Sequence, residues 1–397
     1  MTDVACRIGS VRFSLARLLP MLASRLLTLI ALLGATGLAA CDSSSGDAAT
    51  ADARAATEAL IDARDGGGPG RSRGVYATSN PAGAAQDSLV RLTSALDAVA
   101  ARGGFDARIT SLQNVTLSES GTTFLTVDLA AATGGIFALD RRCSRSGCDD
   151  STTTGARLVA GAATGLVAPK GIVIARNRLV VADFGARNVK VFAARATGDV
   201  APMFTVTAIG GNAARSVWDV AYDERRDRLF VAATDGTVLV YDRFFRDRGA
   251  AGPTREITPS DAAGVKLSVN LHGIAFDART RTLVLSDIGS AASATDGQLF
   301  TVANGDTASG AVAVRYRNAG GAQLGNPVDL VLDGRDAVVA EKSNDRLLRF
   351  ADILARTGTD AAAADDSAAL LKAESVTVGG GGYGGGGGGH GGGGGGS

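Results

Sequence analysis

Four acidic residues close apolar runs at matching places along the chain: Asp128, Asp183, Asp287 and Glu341, as in Leu179-Val-Val-Ala-Asp183 and Leu283-Val-Leu-Ser-Asp287. Carboxylates drawn together from separate segments make a site of oxygen ligands, the chemistry that calcium prefers. The same placement also serves structure, because an acid at a strand end accepts hydrogen bonds from its own turn, with Arg187 and Asn188 as local donors after Asp183. The acid recurs with the strand pattern, and a repeat distributes its structural residues to every copy. Repetition therefore favours the structural role over a unique active site. His272 is the candidate for a general base or metal ligand, alongside a structural or rim role. Trp218, the only tryptophan, suits a flat ligand platform or a packed aromatic.

Asp183 also begins Asp183-Phe184-Gly185, the order found in the magnesium-binding loop of protein kinases. A kinase needs a His-Arg-Asp loop upstream, whose aspartate accepts the substrate hydroxyl proton. Both histidines, His272 and His390, lie downstream, and no G-x-G-x-x-G followed by a Val-Ala-Ile-Lys strand precedes the motif, so the sequence disfavours a kinase. Lys plus Arg and Asp plus Glu number 40 each, which leaves no overall field to attract a nucleic acid. The abundance of Gly, Val, Ala and Thr over Lys and Glu favours strands and turns.

Laid against itself, the chain repeats one plan six times: an apolar strand, a small polar turn, and a second strand ending in a large apolar residue. The strand-end position falls at Thr78, Asp128, Asp183, Ala233, Asp287 and Glu341, with spacings of 50, 55, 50, 54 and 54 residues. Most copies are preceded by another strand, as in Gly171-Ile-Val-Ile, Asp219-Val-Ala-Tyr, Gly273-Ile-Ala-Phe and Asp329-Leu-Val-Leu. A fourth strand fits at Arg108 to Ser111, Arg157 to Ala160, Phe204 to Thr207, Arg255 to Thr258, Val312 to Tyr316 and Ser375 to Val378. Four short antiparallel strands in each unit of about 50 residues predict an all-β, six-bladed β-propeller over residues 74–378. Apolar residues hold Leu89, Ile136, Val189, Val238, Leu299 and Leu347 in all six copies, as expected for faces that pack blade on blade. The first copy lacks a clear innermost strand unless Ala59-Leu-Ile-Asp62 supplies it. In this architecture the turns entering the innermost strands open on the channel. They nominate Asn114, Lys170, Trp218, Asp219, His272 and Asp329 as channel-face binding residues, with the long inserts Ser79 to Asp87 and Ile288 to Gly297 above them.

Gly273-Ile-Ala-Phe-Asp277 with Leu283-Val-Leu-Ser-Asp287, and Leu179 to Asp183 with Asn188-Val-Lys-Val-Phe192, resemble repeats of the NHL and SMP-30/gluconolactonase-like six-bladed propellers. The resemblance implies a choice between a protein or ligand-binding scaffold and a metal-dependent hydrolase or lyase. NHL-like lyases gather several histidines around zinc, whereas this propeller has His272 alone. The gluconolactonase-like Glu/Asn/Asp metal set is not matched residue by residue. The leading expectation is a binding or scaffold module for an envelope protein or peptide.

The first forty residues have the order of a signal peptide: Arg17 and Arg25, then the apolar Leu26 to Leu33, then small residues. Met21 begins a compact signal of its own. Leu38-Ala-Ala-Cys41 resembles the lipobox of bacterial lipoproteins, which predicts a diacylglyceryl cysteine at Cys41 and a stable membrane anchor. Asp42 fits the signal that retains lipoproteins in the inner membrane, and the expected address is the bacterial cell envelope, facing the periplasm. Residues 41–73 read as a tether and residues 379–397 as a glycine-rich disordered tail. Cys6 leaves with the signal. Cys143 and Cys148 remain as a disulfide pair in an exported, oxidising setting, with zinc disfavoured for lack of further ligands.

Overall fold

The computed structural model describes residues 74–379, apart from 82–86, 104, 120, 132, 140, 141, 145, 146, 150–155, 212, 213 and 291. These fall within one compact unit, Ile61–Ser397; the other unit, Met1–Leu60, lies outside the described residues. The signal segment, Cys41, the tether and the tail beyond Gly379 lie outside them too.

The second strands show why this sequence makes blades. Arg178–Asp183 and Arg228–Ala233 are buried at every position after the first, because both faces of each strand are covered by neighbouring blades. Continuous runs of Val, Leu, Phe and Ala satisfy two apolar neighbours at once, and β-branched side chains pack well on the pleated surface. Arg176 and Asn177, with φ of 49° and 59°, make the two-residue hairpin that joins the first and second strands of blade 3.

Six sheets of four principal strands form the ring. Innermost to outermost, blade 2 is Ile109–Leu117, Thr123–Leu129, Thr133–Leu139 and Arg157–Val159. Blade 3 is Pro169–Ala175, Arg178–Asp183, Asn188–Ala193 and Phe204–Val206. Blade 4 is Val217–Asp223, Arg228–Ala233, Val238–Asp242 and Arg255–Ser260. Blade 5 is Leu271–Asp277, Thr282–Asp287, Gln298–Val302 and Tyr316–Asn318. Blade 6 is Pro327–Asp333, Asp336–Glu341, Arg346–Phe350 and Asp366–Ala369.

Blade 1 closes the ring. Its innermost strand is Ala373–Val378 from the end of the chain, laid against Val75–Ser79, Ser88–Leu92 and Ala98–Arg102. This corrects three expected fourth strands. Ser375 to Val378 is the innermost strand of the first blade, and Arg108 to Ser111 is the beginning of the long innermost strand of blade 2. Val312 to Tyr316 straddles two elements: Tyr316–Asn318 completes blade 5, whereas Gly310–Ala313 adds in parallel to the edge of blade 4. Gly358–Asp360 covers the edge of blade 5 in the same way, and these additions pair backbone groups that would otherwise form an open sheet edge.

Six apolar clusters hold the ring, one at each interface between blades. Leu89, Ile136, Val189, Val238, Leu299 and Leu347 are all buried, and Phe230 and Phe276 meet at 4.7 Å between blades 4 and 5. Each such side chain contributes about 1.5–3 kcal/mol on burial. The stability is thus spread over six seams. Among the described residues no helix is long and apolar enough to cross a membrane. Cys143 and Cys148 face each other across the two-stranded ladder of Arg142–Ser144 and Gly147–Asp149; their side chains lie outside the described ones.

Candidate functional site

Where each innermost strand enters the ring, the ladder slips by one residue against the second strand. Pro169 pairs with Asp183 and Gly171 with Ala182, so Lys170 is the extra residue of blade 3. Trp218, Val328 and Glu374 are bulged in the same way, and His272 and Gln113 lie in the corresponding irregularities of blades 5 and 2. A bulge bends the strand and re-aims its side chain. These six residues ring the channel mouth. The residues that follow them are Asn114, Gly171, Asp219, Gly273, Asp329 and Ser375, and they make a narrower girdle beneath.

The girdle alternates bulky and small members for a steric reason. A Cβ on Gly171 would lie 2.3 Å from Asp219 Oδ1, and one on Gly273 would lie 2.8 Å from the Leu330 nitrogen. Glycines in blades 3 and 5 therefore make room for the aspartates of blades 4 and 6. Each aspartate then reaches into the following blade. Asp219 accepts the Ile274 N–H at 3.2 Å, and Asp329 accepts the Val376 N–H at 3.0 Å as well as its neighbour Leu330 N–H at 2.7 Å. Asp329 also accepts from Asn114 Nδ2 at 3.2 Å and from the Ser375 hydroxyl. Bulged strands leave backbone N–H groups pointing into the channel, and a buried N–H requires an acceptor.

Asp219 and Asp329 are both buried and line the same small cavity, close enough for each carboxyl to act on the other. Burial, and then the charge of Asp329, pushes Asp219 well above the usual carboxylate range. Burial raises Asp329 to about 6, against the lowering effect of Ser375, Val376 and Leu330. The cavity that these residues line with Asn114 and Thr116 has a volume of about 30 Å³, room for water and no more.

The repeated acids are arranged differently. Asp183 accepts the N–H groups of Val167, Ala168 and Ala186 at 3.0, 2.9 and 3.1 Å, and Lys190 Nζ at 2.8 Å. Asp287 accepts from Val269, Asn270 and Gly289, and Glu341 from Gly325, Asn326 and Asn344. Each acid thus fastens the loop entering its blade to the end of the second strand. At the equivalent places Thr78 donates its hydroxyl to the Gln113 carbonyl, and Thr234, next to Ala233, accepts the Ser216 N–H. Asp128 alone faces a side-chain network, taking Gln113 Nε2 at 2.7 Å with Lys170 Nζ at 3.5 Å. The four carboxylates are engaged in four separate blades. Among the described residues no group of three or more His, Cys, Asp or Glu is placed to hold a metal ion.

The mouth has two unlike halves. On one side Trp218 stacks on His272 with ring centroids 3.5 Å apart, and the edge of Phe184 meets Trp218 at 5.2 Å. Burial, with Lys342 and Lys170 nearby, holds His272 well below the usual histidine range, so it is neutral, and its Nδ1 is buried without a partner. On the other side are the polar Gln113, Lys170 and Asp128, with a Lys342–Glu374 ion pair. All six channel-face residues expected from the sequence thus sit at the mouth or in the girdle. Gln113, Glu374, Ser375 and Lys342 were missed, although carrying the bulge position into blade 2 identifies Gln113.

No family model matches the chain, and no curated protein matches its sequence. Solved structures do match in shape. A chain of a nidogen/laminin complex is 10% identical, covering 77% of this chain and 98% of its own, with a TM-score of 0.50. A Bacteroides fragilis protein provisionally named a 6-phosphogluconolactonase is also 10% identical, covering 79% of this chain and 99% of its own, with a TM-score of 0.50. At such identity the likeness is one of fold. The protein is a six-bladed β-propeller, its channel narrowed by an Asn/Asp/Asp girdle and its mouth faced by an aromatic stack.

Proposed function

We propose that this chain is a bacterial envelope lipoprotein whose propeller binds a protein partner through the apolar half of its channel mouth. The observation that supports this reading is where exposed apolar side chains lie. Six large ones are exposed among the described residues, and five of them, Val167, Phe184, Val265, Val269 and Leu371, stand on loops at the mouth. Phe184 meets the edge of Trp218, Val167 lies beside Gly185, and Val265 and Val269 stand on the loop that leads from blade 4 into blade 5. Apolar groups gathered on one face and bordered by polar ones are the mark of a protein-interaction surface. The cavity behind them, about 30 Å³, is too small for an organic ligand. The chain enters and leaves the ring on the opposite face, where the Gly379 N–H donates to the Gly74 carbonyl at 2.8 Å. An anchor at Cys41 would connect to the ring through Gly74, on the face away from the mouth.

The test places a photoreactive phenylalanine analogue in intact cells at Phe184, at Val269 and, on the far face, at Arg335. A discrete heterologous adduct from the two mouth positions alone supports the reading. An adduct with a second copy, adducts from Arg335 equally, or none at all sinks it. Loss of lipid incorporation and membrane retention in Cys41→Ala tests the anchor separately.

A metal-dependent hydrolase of the gluconolactonase type is the second reading. Its support is the convergence of Asn114, Asp219 and Asp329 from alternate blades, together with the name of the Bacteroides fragilis neighbour. The residues do not fit a metal as they stand. Four donors engage the oxygens of Asp329, and Asn114 turns its amide N–H toward that carboxylate. Lactone hydrolysis by the purified chain that depends on Asp219 would revive this reading.

A further inference from the structure

A channel that gathers two aspartates and an asparagine invites a cation, and the donor set around them is that of a closed hydrogen-bond network. We infer that Asp219 and Asp329 share one proton across the propeller axis, and that this carboxyl–carboxylate bond, in place of a metal ion, plugs the channel and ties blade 4 to blade 6.

Three features of the geometry carry this. First, Asp329 is already the acceptor for two backbone N–H groups, one hydroxyl and one amide, so it takes the role of the ionised partner. Asp219 accepts the Ile274 N–H on one oxygen, and its other oxygen takes the role of donor. Second, two ionised carboxylates in contact and out of water repel each other, and a single proton between them removes the conflict. Third, Gly171 and Gly273 hold the space that the aspartates fill, and the remaining cavity of about 30 Å³ admits water. The other members of the girdle, Asn114 and Ser375, do not titrate. The ionisable groups at this end of the channel are Asp128 of blade 2, Lys170 of blade 3, His272 of blade 5, Glu374 of blade 1 and Lys342 of blade 6. The lysines lie beside His272, and Glu374 is paired with Lys342. Burial and the charge of Asp329 both raise Asp219, which favours that carboxyl as the proton's holder.

The test uses the chain purified from cells. Native mass spectrometry after equilibration with calcium, magnesium or zinc salts near neutral pH is expected to show no one-to-one adduct at the ring. A stoichiometric adduct that disappears in Asp219→Asn overturns the inference. A second measurement follows thermal unfolding between about pH 5 and 8. The folded ring holds protons that the unfolded chain releases near 3.8, so this contribution is complete below that value and is lost as pH rises through the raised folded values, about 6 for Asp329. Asp219→Asn carries amide donors at every pH and should lose less than about half as many degrees as the parent over the same range. Asp329→Asn should melt well below both, because it turns N–H donors toward the N–H groups of Leu330 and Val376. If Asp219→Asn fails to fold, or falls as far as Asp329→Asn, the shared proton is refuted.

Discussion

Asp183 and Asp329 are both buried aspartates near the mouth end of a propeller strand, and they face opposite ways. Asp183 has all its backbone donors within its own blade and recurs as Asp287 and Glu341. Asp329 collects donors from blades 1, 2 and 6 and has one counterpart, Asp219. The first kind makes a blade and the second makes a ring. Outside both lies a third set, the mouth residues Gln113, Lys170, Trp218, His272, Val328 and Glu374, in which no residue type occurs twice. Repetition marks what each unit needs to fold, and its absence marks where one unit is asked to do something its neighbours are not.

The comparison breaks most visibly if Asp183 proves dispensable. Asp183→Ala leaves three N–H groups without their acceptor and the buried Lys190 ammonium without its counter-charge, with only Asn188 Oδ1 still accepting from it, and denaturant unfolding should show a loss of about 3–5 kcal/mol. A loss below about 1 kcal/mol would free this carboxylate for a ligand after all. Gly171→Ala probes the girdle from the side. Its new Cβ would crowd Asp219, and a destabilisation of about 1–3 kcal/mol is expected in the same assay.

His272 separates the mouth from the girdle by the sign of its pH dependence. Its folded pKa is lowered, mainly by burial, so the unfolded chain binds a proton below its ordinary value of 6.5 while the folded ring does not. Stability should fall with acidification by about 1.4 kcal/mol per pH unit below that value, and His272→Phe should abolish this limb while leaving the alkaline limb of the aspartate pair in place. An unchanged acid limb would show that His272 already shares the solvent. The smallest effect is expected for Val269→Ser, an exposed site where stability should change by less than about 0.5 kcal/mol. The photoadduct from Phe184 should nonetheless weaken in that variant, and an undiminished adduct would remove the apolar arc from the proposed interface.

Much of this was legible because a propeller writes its periodicity twice, once in the apolar second strands and once in the strand-end acids. Leu179 to Asp183 and Leu283 to Asp287 announce buried strands whose ends need an acceptor, and the structure uses them so. Closure was not legible. Ala373–Val378 has the same short alternation as an outermost strand, and its partner Val75–Ser79 lies at the far end of the described chain, so no local pattern distinguishes the two roles. Blade 1 was further obscured by Ala98–Arg102, whose alanines lack the β-branched signature of a strand. The girdle was half legible: Asp219 and Asp329 stood out as polar residues before apolar runs, whereas Ser375 was hidden by the misplaced closing strand. The glycines at 171 and 273 began recognised strand motifs, but their purpose appears only when the neighbouring blade is in place.

The backbone bond between Gly379 and Gly74 has a mechanical consequence. Val75–Ser79, the strand that follows Gly74, lies between Ala373–Val378 and Ser88–Leu92, with cross-strand partners on both sides along its length. If a partner grips the mouth while the membrane holds the chain before Gly74, the load runs along this strand. The two flanking ladders would then resist in shear, with many hydrogen bonds strained together, where a peeling pull would break them one at a time. Closing the ring beside Gly74 would then put its most vulnerable joint in the loading direction that it withstands best.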